Sequence, residues 1–85
     1  MSAEQTVHQL MELRDALQRG ELNIDDYYLS FEVLINGAPY EGRQLPPELS
    51  ALINRMEFVR FTQRPEDQIK AATQVANDAI RLLAS

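Results

Sequence analysis

Apolar residues recur along this chain at intervals of three and four, the repeat of a helix that buries one face. Val7, Leu10, Met11, Leu13 and Leu17 set this pattern from about Ser2 to Arg19. Ser2 with Gln5, and Thr6 with Gln9, have the spacing of an N-terminal capping box. Gly20 then supplies a stop, because glycine enters the left-handed cap conformation without a Cβ penalty. A second clear stripe is Leu49, Leu52, Ile53, Met56 and Val59, opened by Pro47, which suits the first position of a helix. After a break at Thr62 to Arg64, Pro65-Glu66-Asp67 opens a last helix with another proline start and an acidic first turn. Ile69, Ala72, Ala76, Ile80 and Leu83 face inward there, and the many alanines let a neighbouring helix approach closely.

The stretch between the first two stripes reads two ways. Asn23 can cap a helix, with Asp25 and Asp26 in the first turn where the helix dipole favours negative charge. Leu22 and Tyr27 have hydrophobic-staple spacing, and Tyr27, Tyr28, Phe31, Leu34 and Ile35 form a helical stripe. Against this, Phe31, Val33 and Ile35 alternate before Asn36-Gly37, a hairpin signal. A returning strand would have to carry Pro39, Gly42 and Pro46, which argues against pairing. The cap and the acidic first turn put the helix first.

The expected fold is therefore all-α, a small four-helix bundle with one long loop from Asn36 to Pro46, and residues 1–85 form a single helical domain. The alternative is an α+β fold with a hairpin at residues 27–44. Leu52, Met56, Ala76 and Ile80 are expected to share one core. Phe58 and Phe61 are expected to complete it.

Charge changes the picture more than composition does. At 45% apolar and 25% charged residues the chain reads as ordinary globular protein. Its net charge is −5, and all of it lies in residues 20–48, where Glu21, Asp25, Asp26, Glu32, Glu41 and Glu48 face a single base, Arg43. The remainder is neutral, with acids set beside bases at helical spacing: Asp15 with Arg19, Glu57 with Arg60, Glu66 with Lys70, Asp78 with Arg81. A field focused on one third of a small protein favours a basic partner.

The chemistry of catalysis is not assembled. There is no cysteine, hence no disulfide, thiolate nucleophile or cysteine-bound zinc. His8 is the sole histidine, too few for a zinc site; a Ser-His-Asp triad would have to use it, and no Gly-x-Ser-x-Gly turn, phosphate-binding glycine loop or EF-hand spacing is present. The acid pairs Asp25-Asp26 and Glu66-Asp67 sit where helix starts want negative charge. Arg55, Phe58, Arg60, Phe61 and Arg64 interleave bases with aromatics, a pattern known from single-strand binders. Glu57 within it and the acidic whole argue against nucleic acid, and the cluster can instead face the acidic second helix. Tyr27 and Tyr28 are adjacent, so one is expected to stand partly exposed beside the acids as an interface anchor. The N-terminus lacks signal-peptide features and no apolar run is long enough for a bilayer, so a cytoplasmic location is expected.

In order and spacing the chain resembles small bacterial immunity proteins of the colicin D type. The residues that carry the likeness are Leu17-Gln18-Arg19-Gly20-Glu21-Leu22 at the end of an apolar helix, Asp26-Tyr27 with Phe31, Leu45-Pro46-Pro47-Glu48-Leu49 before a helix through Ile53 and Met56, and Pro65-Glu66-Asp67. The third helix departs from that pattern, keeping only Phe58 where an aromatic-rich run is expected around residues 56–60, and so does the alternation at 31–35. The resemblance implies a four-helix bundle that blocks the active site of a basic nuclease toxin with carboxylates.

The expected function is thus a small acidic protein-binding module, an immunity-type inhibitor without cofactor or metal, not an enzyme. The partner-binding residues are Glu21, Asp25, Asp26, Tyr28, Glu32, Glu41 and Glu48. The expected partner is a basic protein rather than nucleic acid or membrane, and the chain itself is a monomer or homodimer. The alternative is a helical adaptor or assembly subunit that binds through an apolar groove near Tyr28, Val33 and Pro39-Tyr40.

Overall fold

The computed structural model describes residues 3–37, 46–62 and 64–84, and within them finds four helices: α1 (Ala3–Gln18), α2 (Ile24–Asn36), α3 (Pro47–Thr62) and α4 (Pro65–Ala84). No strand occurs among the described residues, so the hairpin alternative falls.

The helix ends follow local chemistry. Gly20 takes the left-handed conformation, φ 76°, in the turn that closes α1. Its N–H donates to the Leu17 carbonyl, and that of Glu21 donates to Ala16. Asn23 caps α2: its Oδ1 accepts from the Asp26 N–H at 2.8 Å. That bond fixes the start of α2 and overrides the strand-like alternation that follows. Prolines open both α3 and α4, and the carbonyls of Pro46 and Arg64 accept the first helical bonds. Thr6, by contrast, lies inside α1 and is buried, so it caps nothing.

Each helix packs on its neighbour in sequence, and α1 closes the ring against α4. The backbones of α2 and α4 also meet across the middle, whereas no Cα of α1 comes within 8 Å of α3. Leu10 and Leu17 from α1, Tyr27, Phe31 and Ile35 from α2, Leu49, Leu52, Met56 and Val59 from α3, and Ala72, Val75, Ala76 and Ala79 from α4 form one core. Ile80 packs against it half-buried, as the stripe predicts. The small side chains of α4 are what let α2 approach: the Tyr27 hydroxyl reaches the Ala72 carbonyl at 2.8 Å and donates to it inside the core. Burial pushes the Tyr27 hydroxyl well above its ordinary pKa.

Three expectations about the core are corrected. Phe58 and Phe61 do not complete it; they stand 62% and 70% exposed on the outer face of α3. The core stripe of α3 is already filled by four residues on the opposite side, and among the described residues no further helix covers the outer one. Ile69 is exposed as well, one turn into α4. Tyr27 and Tyr28 are both buried, although they are adjacent. α2 has neighbours on three sides, so its buried arc is wide enough for Tyr27 to meet α4 while Tyr28 meets α3.

Candidate protein-docking face

The acidic residues of α2 divide between two sides of the helix. Asp25, Tyr28 and Glu32 recur at three and four residues and lie toward α3. There Arg60 holds the first two. Its Nε donates to Asp25 at 2.9 Å, and its guanidinium lies 4.7 Å from the Tyr28 ring centroid and 5.0 Å from that of Phe61. Burial, with Glu32 and Glu57 nearby, raises the pKa of the Tyr28 hydroxyl against the opposing pull of Arg60. Tyr28 is only 8% exposed, so it braces α2 against α3 instead of standing among the acids. The basic cluster of α3 does face the acidic helix, through Arg60.

Asp26 lies on the other side, in line with Leu29, Ser30 and Val33. Leu29 and Val33 are 59% and 70% exposed. With Leu34 and with Gln9, Glu12 and Leu13 of α1 they line an open groove of about 520 Å³ between α1 and α2. The groove is mostly apolar, and Glu12 puts a carboxylate in its lining. Glu12 is joined to His8 at 3.0 Å, an exposed pair.

The carboxylates named from sequence are less alone than their spacing implies. Glu21 pairs with Arg19, which takes it out of a free acidic face. That pairing also replaces the expected Asp15–Arg19 contact; Asp15 instead meets Arg14 at 3.2 Å. Arg60 chooses Asp25 over Glu57. Asp78 binds Arg81 as expected, at 2.7 Å, and also Arg55 at 3.0 Å. Asp26 and Glu48 are exposed at the starts of α2 and α3, and Glu32 is half-buried. Glu41, Pro39 and Tyr40 lie outside the described residues, as does most of the expected loop. The apolar groove expected near Tyr28 and Val33 is split, since those two side chains serve different sides of α2.

Among the described residues no three of the His, Asp and Glu side chains gather as a metal site, and no helix is long and apolar enough to cross a membrane. The residues missed from sequence are Leu29 and the α1 contributors Gln9, Glu12 and Leu13. Leu29 does signal itself, as a large apolar residue off the core stripe of an otherwise regular helix. No protein family, curated protein or solved structure matches this chain.

Proposed function

We propose that this protein is a protein-binding module whose α1–α2 edge receives a basic partner with an apolar anchor. The observation that carries the reading is the exposure of Leu29 and Val33 in a groove lined also by Glu12, on a helix from the third of the chain that holds the whole net charge. The apolar floor supplies contact area, and the carboxylates speed and orient the approach of a positive surface. Asp26 is the exposed acid on this side of α2; Asp25 and Glu32 lie toward α3 and Glu48 opens α3, so they bear on a partner that wraps over α2.

The resemblance to colicin D-type immunity proteins gives the reading its most concrete form. The partner is then a basic nuclease toxin, and the carboxylates occupy the place of its phosphate substrate. The adaptor reading draws on the same exposed Leu29 and Val33, with the charge serving solubility.

The test is to identify the partner by capture from the native host and titrate it at low and high salt. Asp26→Lys with Glu32→Lys is expected to weaken binding. Close, desolvated charge pairs are worth about 1.5–7 kcal/mol each, and rim pairs about 0–1 kcal/mol. Added salt is expected to weaken wild-type binding strongly. Equal affinities of both proteins at both salts overturn the acidic mechanism and leave the adaptor.

A further inference from the structure

Asn36-Gly37 does not turn a hairpin, and the structure gives the pair a different setting. Asn36 is the last residue of α2 and Gly37 the turn residue after it, and both are exposed. An asparagine is open to attack at its carboxamide carbon by the main-chain nitrogen of the next residue, which closes a five-membered ring. The attack needs a nitrogen that is unshielded and not held in a hydrogen bond.

Gly37 meets the first condition, because it has no side chain beside its nitrogen. The second is controlled by the helix. The Gly37 N–H donates to the Val33 carbonyl at 2.9 Å, at the very end of α2. Helix ends fray, so this bond opens far more readily than one in a helix interior. The other asparagines are guarded. The Asn23 carboxamide oxygen is committed to the Asp26 N–H, and branched Ile24 follows it. Asn54 and Asn77 lie inside α3 and α4, each followed by a residue with a full side chain and a helical N–H, and Asn77 also accepts from Arg14 at 2.8 Å.

We propose that Asn36 is a site of spontaneous deamidation, gated by opening of the last turn of α2. When the turn opens, the Gly37 nitrogen gives its proton to hydroxide and attacks Cγ of Asn36. The new C–N bond forms, the Cγ–Nδ2 bond breaks, and the amide nitrogen leaves as ammonia with a proton from solvent. Water then adds to one carbonyl of the cyclic imide. Opening at Cγ leaves an aspartate at position 36; opening at the main-chain carbonyl leaves an isoaspartyl link, with one more carbon in the backbone. Either product puts a carboxylate at the C-terminus of α2, where the helix dipole disfavours it and Glu32 lies one turn back. The change therefore loosens the turn that gated it, beside Val33 and Leu34 of the groove. It does not rest on the binding reading.

The experiment incubates the full chain, folded, in warm and mildly alkaline buffer, beside the same chain in urea. Ammonia release, peptide mapping by mass and an isoaspartyl assay follow the reaction. Folded Asn36 is expected to convert more slowly than in urea, yet several-fold faster than Asn23, Asn54 or Asn77, and to give both aspartyl and isoaspartyl peptides. Gly37→Ala is expected to slow the folded reaction several-fold with its helical circular dichroism retained. Gly37 is not left-handed, and the added Cβ meets only the Val33 carbonyl, at 3.1 Å. An Asn36 still intact once the urea sample has converted overturns the proposal. So does equal conversion at another asparagine, a folded rate equal to that in urea, or a Gly37→Ala chain that reacts as fast as wild type.

Discussion

Tyr27 concentrates the two forces that hold this bundle at its centre. Its ring is fully buried, offset-stacked with Phe31 at 6.2 Å between centroids, and its hydroxyl donates to the Ala72 carbonyl. Tyr27→Phe keeps the ring and removes the hydrogen bond. The Ala72 carbonyl belongs to a helix interior and is not orphaned, so the expected loss is the net value of one hydrogen bond, about 0.5–1.5 kcal/mol. The pH dependence has a definite sign. The folded pKa of Tyr27 is raised above the ordinary 10.0. Its contribution to stability is complete below that unfolded value and is lost as pH rises through the folded one. Denaturant midpoints measured on either side of the free tyrosine value are expected to fall with alkalinity in wild type, and to fall less in Tyr27→Phe.

At the scale of the elements, α2 depends most on its first turn. Asn23→Ala removes the side-chain bond to the Asp26 N–H and is expected to cost about 0.5–2 kcal/mol, read as a lower denaturant midpoint. A cost near zero would show that packing alone selects helix over strand here. This is also where the sequence was readable: Asn23, the acidic first turn and the Leu22–Tyr27 staple outvoted the alternation at 31–35. The starts of α3 and α4 were readable for the same reason, since Pro47 and Pro65 act locally. What periodicity does not carry is coverage. Phe58 and Phe61 fall on the face of α3 opposite Leu52 and Met56, and only the placement of the other helices decides whether that face is buried. The Arg60–Asp25 pair bridges 35 positions and has no local signature, so the acids looked more isolated than they are. The burial of both Tyr27 and Tyr28 likewise follows from three neighbours around α2, a tertiary fact.

For the molecule as a whole, the important asymmetry is that α2 and α4 touch across the ring while α1 and α3 do not. α1 and α3 are therefore separate flanks on either side of α2 and α4, which share the smallest of the helix contacts and meet through Tyr27 and Ala72. Either flank can open transiently without breaking a contact with the other, and each such opening leaves Tyr27 on Ala72. Native-state hydrogen exchange is therefore expected to show α2 and α4 amides exchanging only through global unfolding, with α1 and α3 amides released in separate, cheaper openings. Leu52→Ala, at an expected cost of about 2–5 kcal/mol, should lower protection in α3 more than in α1. Equal loss in both flanks would mean one indivisible unit. Under the proposed binding at the α1–α2 edge, separate release would let one flank yield to an incoming surface while the other keeps the native topology.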